Sequence, residues 1–135
     1  SSNPLPVTKA SITVNTPTVI TNNTIIFNAT INELGTLGGV KQLDEYGFFY
    51  STDQSAMLSE NIDVLKSIGT VNQIKFETTE LNKRINPNVV QTAATSLSES
   101  QTIFYRFYVF TNTDPQHTIT SVISELKSAT TKATF

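Results

Sequence analysis

The sequence predicts an all-β fold: one antiparallel β-sandwich of about seven strands, carrying one long inserted loop. Three observations point there. Thr, Ser and Asn supply 22, 13 and 12 of the 135 residues, and charged residues supply only 15%. Such a composition, rich in β-branched Thr, Val and Ile, suits a pleated, half-buried surface better than a helix. Apolar and polar residues alternate with period two in several short runs, which sends successive side chains to opposite faces of a strand. Asn, Gly and Pro turn signals separate the runs, and no helical pattern repeats between them. A chain of this length buries a core as one domain without staples.

The elements follow in order. Residues 1–9 form an N-terminal arm punctuated by Pro4 and Pro6, the sandwich spans 10–128, and 129–135 is a strand extension or tail. Ile12 and Val14 alternate with Ser11 and Thr13 in the first strand, which Pro17 interrupts, leaving Thr18 to Ile20 as an edge continuation. After the Asn22-Asn23 turn, Thr24 to Ile31 puts Ile25, Phe27, Ala29 and Ile31 on one face. Gly35 to Gly39 is a flexible connection, and Val40 to Leu43 a short run before Asp44 and Glu45. Tyr46 to Thr52 is a strand dense in aromatics. From Asp53 to Ser67, Met57, Leu58, Ile62 and Leu65 recur at spacings of helical type, although similar segments also form irregular loops over a sandwich end. Gly69 stops the segment, and Thr70 to Thr78 alternates with Ile74 and Phe76 inward. Thr79 to Ser100 carries only scattered apolar residues and reads as the inserted loop, with room for a short helix within Gln91 to Ser98. Thr102 to Thr111 is the clearest strand, Asn112 to Pro115 a turn, and Thr118 to Leu126 the closing strand.

Several function classes drop out. A net charge of −2, with nine Lys and Arg in no cluster, removes the footprint of a nucleic-acid binder. No apolar run reaches about eighteen residues, so no membrane span is expected. Cysteine is absent, which excludes thiol catalysis, Cys-based zinc sites and disulfides while leaving the compartment open. No charged segment followed by an apolar run opens the chain, so no signal peptide is expected there. The single histidine, His117, follows Asp114-Pro115-Gln116. General acid–base work needs a pocket around it, and a Thr-rich turn is a poor place to build one. Asp44, Glu45 and Asp53 bracket one strand as calcium ligands would, but without compact Asp-x-Asp-x-Asp spacing, so surface solubility explains them. No Gly-x-Ser-x-Gly elbow occurs, and Gly35 to Gly39 lacks the Lys-Ser or Lys-Thr of a phosphate loop. No catalytic residue, cofactor or metal is expected. Two sequons, at Asn22 and Asn28, arise by chance in an Asn- and Thr-rich chain.

Two strands carry a resemblance. Gly47-Phe48-Phe49-Tyr50-Ser51 and Phe104-Tyr105-Arg106-Phe107-Tyr108-Val109-Phe110-Thr111-Asn112 resemble the Gly-Phe-x-Tyr-Ser and Tyr-Tyr-x-Arg-Ala-Tyr-x-Thr-Asn strands of divergent fibronectin type III-like modules of Bacteroidetes surface proteins. The resemblance covers Ala10 to Thr131 in element order and only these strands residue by residue. It implies an immunoglobulin-like sandwich. The chain departs from that pattern in inserting Thr79 to Ser100 where the modules have a short turn, and in carrying Phe110 as an extra residue. Such modules serve as spacers, adhesins, enzyme accessories and virion decorations, so the likeness does not choose a role.

Nine of the twelve aromatics lie in Tyr46 to Tyr50 and Phe104 to Phe110. Alternation assigns Ile103, Tyr105, Phe107 and Val109 to the core, and Phe104, Arg106, Tyr108 and Phe110 to the opposite face. Exposed, that second set would be an aromatic stripe around an arginine, suited to a protein contact or to stacking on a sugar. Alternatively, flanking segments cover it. The expected function is a non-catalytic, surface-exposed interaction or structural module, extracellular or on a cell surface. Its partner would be another protein or a neighbouring subunit, touched through Phe104, Arg106, Tyr108 and Phe110, with the Thr79 to Ser100 loop second. One alternative is an assembly subunit such as a phage capsid decoration or head-fibre protein, in the virion, or a filament subunit. Another is a carbohydrate-binding accessory domain. The arm Ser1 to Pro6 and the tail Ser128 to Phe135 would reach a neighbouring subunit in the assembly reading, or else the tail simply extends its own last strand.

Overall fold

The computed structural model describes residues 7–37, 40–41, 45–76, 88–110 and 121–134. In chain order its elements are β1 (Val7–Thr8), β2 (Ser11–Ile20), β3 (Ile25–Glu33), β4 (Thr36–Leu37), β5 (Val40–Lys41) and β6 (Glu45–Ser51). A 3-10 turn (Ser55–Met57) and helix α1 (Ile62–Ser67) follow, then β7 (Asn72–Phe76), β8 (Asn88–Ala94), β9 (Thr102–Phe110), β10 (Ser121–Ile123) and β11 (Lys127–Thr130). Two antiparallel sheets carry the fold. One has the order β2-β3-β8; in the other β6 and β9 are central, β7 flanks β6, and β10 and then β11 pair with β9. β1, β4 and β5 make a small separate ribbon.

The period-two pattern explains why the sheets face each other. Ile25, Phe27, Ala29 and Ile31 of β3, with Val90 and Ala94 of β8, meet Tyr46 and Phe48 of β6 and Ile103, Tyr105, Phe107 and Val109 of β9 in one buried core. Phe27 lies at its centre, its ring 4.5 Å from Tyr105 and 5.3 Å from Phe48. Removing large apolar side chains from water at about 25 cal/mol per Å2 drives this packing. The inward faces expected for β3 and β9 are the ones observed.

The long inserted loop is a correction. Within Thr79 to Ser100, residues 88–94 form β8, which pairs along its whole length with β3, from Asn88 opposite Ile31 to Ala94 opposite Ile25. Residues 79–87 lie outside those described. No helix forms within Gln91 to Ser98, because residues 88–94 are taken up in ladder pairing with β3, which sends Val90, Thr92 and Ala94 to the core side and Val89, Gln91 and Ala93 to the other. A short turn, 95–101, then leads into β9. Ser96 and Ser100 adopt positive φ in it, 58° and 50°.

Pro17 does not end the first strand. β2 runs on to Ile20 past a register shift between Asn15 and Val19, so the proline sits in a bulge where its missing N–H breaks no ladder bond. The last strand is broken similarly. Ile123 opposes Tyr108 and Lys127 opposes Tyr105, so three residues (124–126) face two. Ser124 repairs this bulge: its N–H donates to the Phe107 carbonyl (2.8 Å) and its hydroxyl accepts from the Phe107 N–H (2.9 Å).

The tail packs on its own domain. β11 pairs with β9, placing Ala129 opposite Ile103. Beyond it Thr131 is buried; its N–H donates to Gln101 O (2.9 Å) and its hydroxyl to Ser98 O (2.6 Å), while Lys132 N–H donates to Thr21 O (2.8 Å). Tail, 95–101 turn and 21–24 turn thus interlock at one pole, and the tail extends the domain's own last strand. Deleting 131–135 should lower stability by about 2 kcal/mol, since several buried backbone groups lose partners, and should leave the oligomeric state unchanged. Chemical denaturation and light scattering read the two effects, and a changed mass would restore arm exchange.

Candidate functional site

The expected stripe exists as a face and is not exposed. Arg106, Tyr108 and Phe110 are buried and Phe104 is half-buried. Residues 53–71, which connect β6 to β7, lie over this outer face of the larger sheet. Met57, Ile62 and Leu65 from that segment form a second buried cluster with Phe49, Tyr108 and Phe110. Of the expected helical segment only Ile62–Ser67 is α-helix, with a 3-10 turn at Ser55–Met57 before an irregular stretch; Met57, Ile62 and Leu65 cover the stripe, whereas Leu58 is 60% exposed. Asn61 caps α1 by accepting from the Val64 N–H at 3.1 Å, which turns Ile62 and Leu65 inward. The stripe residues are internal cement, so Phe104, Arg106, Tyr108 and Phe110 are withdrawn as a contact surface of the closed molecule.

Arg106 does the joining. Its Nε donates to Met57 O (2.8 Å), Nη2 to Leu58 O (3.3 Å) and Nη1 to Ser124 O (2.8 Å). One guanidinium thereby ties the end of the 3-10 turn and the β10–β11 bulge to β9. Only a planar, multi-donor fork spans three carbonyls in this way. Burial pushes its pKa down and Glu60 acts against that shift.

Beside it lies a polar network that the sequence did not announce. Tyr108 OH donates to Glu45 Oε2 at 2.6 Å, and the Gln73 amide donates both to the Tyr108 hydroxyl (2.6 Å) and to Glu45 Oε2 (3.1 Å). Lys66 Nζ sits 3.0 Å from Glu45 Oε2 and 5.3 Å above the Phe110 ring, and Lys75 Nζ 3.6 Å from Oε1. Burial alone would raise the Glu45 carboxyl, but the Tyr108 bond, Lys66 and Lys75 together hold it below the ordinary range. The Tyr108 phenol is pushed up, by burial first and then by the bond to Glu45. The available signal was a tyrosine expected to lie on an apolar face, whose hydroxyl needs a partner when buried, beside Gln73 and Lys75 on the same side of the next strand. Both Glu45 carboxylate oxygens and the Tyr108 hydroxyl are engaged, so the network ties β6, β7, β9 and α1 together.

The remaining candidates disperse. Glu45 is the first residue of β6 and Asp53 lies past its other end, occupied in accepting from the Ser55 N–H (3.0 Å) and hydroxyl (2.7 Å). Asp44, Asp114 and His117 lie outside the described residues. Among the described residues no group of three His, Cys, Asp or Glu converges, and no helix is long and apolar enough to cross a membrane. Asn28 points outward yet is buried beneath Asn15, whose amide donates to it at 3.0 Å, whereas Asn22 is exposed. A groove of about 550 Å3 runs between residues 10–14 of β2 and 122–125. Both of its walls are strands interrupted by bulges, which spoil the regular ladder that strand addition requires.

What stays open is the outer face of β2-β3-β8. Its cross-strand rows are Thr13–Thr30–Val89, Asn15–Asn28–Gln91 and Val19–Ile26–Ala93. Asn15 Nδ2 donates to Asn28 Oδ1 and Thr30 Oγ1, each at 3.0 Å, and Asn32 Nδ2 to Thr13 Oγ1 at 3.0 Å. These side chains are already fixed against one another. None of the rows carries a charge, and Val19 and Val89 are 43% and 60% exposed at opposite corners.

No protein-family model matches the chain, and no curated protein matches its sequence. Among solved structures, the sensor domain of the anti-sigma factor RsgI4 of Pseudobacteroides cellulosolvens is similar. A short form of that domain gives a TM-score of 0.55 at 15% identity over 94% of this chain and 98% of that one. A longer form gives 0.50 at 15% identity over 93% and 92%, and the solution structure 0.50 at 15% over 92% and 76%. At that identity the likeness is one of fold, and it supports the all-β sandwich.

Proposed function

We propose that this chain is an immunoglobulin-like module of the fibronectin type III-like type that binds a neutral protein partner, without catalysis, outside the cell. The sheet orders, three strands against a four-position sheet whose last position is shared by β10 and β11, support the fold type. The observation that carries the binding role is the uncharged, pre-ordered outer face of β2-β3-β8. Side chains already held by mutual hydrogen bonds lose little freedom on binding, and a face without charge selects a partner by shape and hydrogen bonding rather than by salt-dependent attraction. The carbohydrate reading required a flat exposed aromatic stripe, and the stripe is covered. The assembly reading leaned on exchanging arms; the tail pairs with β9 of its own chain, and Ser1 to Pro6 lie outside the described residues.

Thr13→Arg with Gln91→Arg tests the proposal, because both positions are exposed and exposed substitutions usually change stability by less than about 0.5 kcal/mol. Wild type and double variant would be compared on immobilised panels of extracellular proteins and neutral glycans, at low and high salt. Binding of a protein that survives high salt and disappears in the folded double variant is the expected result. Equal binding by both forms, or binding of glycans alone, would sink it.

A further inference from the structure

We infer that residues 53–71 form a strap that opens as a unit while the sandwich stays folded, with Glu45 as its latch. The inference is independent of the binding face proposed above. It starts from where the buried charges lie. Among the described residues the buried charged side chains are Glu45 and Arg106, and both stand in the layer between strap and sheet. The core between the sheets is built of apolar side chains. A layer closed by ionic and carbonyl ties carries the desolvation cost of its charges, whereas the apolar core does not, so the strap layer is the less stable of the two.

The strap's own construction agrees. It buries Met57, Ile62 and Leu65 but leaves Leu58 60% and Val64 45% exposed. Its helix has six residues, far below the length at which a helix persists alone. Glu45 is faced by Lys66 from α1, by Gln73 and Lys75 from β7 and by Tyr108 from β9. Of these groups only Lys66 belongs to the strap. Neutralising Glu45 therefore cuts the strap's ion pair and leaves the sheet's own neutral partners in place. Opening would uncover Phe49, Arg106, Tyr108 and Phe110, a set with the aromatic and arginine character of protein interfaces. The strap thus acts as an internal cover on a face of that type.

Met57 makes the test clean. It is the chain's one methionine and is fully buried under the strap, so oxidation by dilute peroxide, read by intact mass, reports strap opening. In the wild-type chain the rate should rise with urea at concentrations where the far-ultraviolet signal remains native, with a slope well below that of global unfolding because only the strap layer is exposed. Hydrogen exchange of peptides within 53–68 should run about ten-fold or more ahead of β3 and β9. Glu45→Gln should speed Met57 oxidation several-fold while leaving β3 exchange unchanged, and Lys66→Gln, which adds no second methionine, should do the same if Glu45→Gln does not fold. An oxidation rate that climbs with urea in step with global unfolding overturns the strap. A shallow urea dependence that neither substitution changes overturns the latch.

Discussion

Gly47→Ala should cost about 4 kcal/mol or more, a large effect for the addition of one methyl group. Gly47 lies in β6 opposite Lys75 of β7 and Tyr108 of β9. A Cβ there would run into the Ile74 carbonyl oxygen and come within 3.0 Å of its carbon and 3.2 Å of the Lys75 Cα. All three are backbone atoms of the neighbouring strand, so no rotamer change relieves the clash; β7 itself must move. The stacking of Phe76 on Tyr46, with centroids 4.9 Å apart, would be lost with it. Gln73 would leave Glu45 and Tyr108, so the polar network would fail as well. Urea denaturation followed by circular dichroism measures the cost. A Gly47→Ala protein within about 0.5 kcal/mol of wild type would mean that β6 and β7 do not approach this closely.

Arg106→Met comes next, at about 3 kcal/mol. The substitution keeps most of the apolar stem and leaves the carbonyls of Met57, Leu58 and Ser124 without their donor. For a domain of this size that loss corresponds to a fall in Tm of roughly 10 °C. Arg106→Lys should recover little, because an ammonium is a compact point charge and does not span three carbonyls held by separate nitrogens. Thermal unfolding of the two variants side by side decides the matter. Full recovery by lysine would show that charge rather than geometry is what the site requires.

How far the sequence could be read follows from where its alternation is strong. Ile103, Tyr105, Phe107 and Val109 announce β9 because large side chains mark every inward position. β8 escaped because its inward residues are Asn88, Val90, Thr92 and Ala94, and small or polar groups at a core position resemble a loop. The stripe shows a different limit. Alternation tells which side of a strand Phe104, Arg106, Tyr108 and Phe110 occupy, but not whether anything covers that side. The clue lay elsewhere, in Met57, Ile62 and Leu65, which form an apolar helical side in need of an apolar partner. Two unpartnered apolar faces in one short chain imply each other. Glu45 was hidden for another reason: an acid beside a turn ordinarily stays in water, and only the arrangement of β6, β7, β9 and α1 brings Gln73, Tyr108 and Lys66 around it.

The pairing pattern also governs how this chain reaches its native state. The central partners of the larger sheet run from Glu45 with Phe110 to Ser51 with Phe104, 65 to 53 positions apart. Those of the smaller sheet run from Ile25 with Ala94 to Ile31 with Asn88, 69 to 57 apart. Each sheet is therefore closed by a span of more than fifty residues before its inward side chains can meet. The entropy of closing such spans is lost before the contacts that offset it are made. The β2–β3, β6–β7, β9–β10 and β9–β11 pairs and the small β1–β4–β5 ribbon form over shorter separations. Assembly thus belongs to the millisecond-to-second regime of β-rich topologies. Until β8 and β9 arrive from the second half of the chain, Ile25, Phe27, Phe48 and Phe49 remain in water.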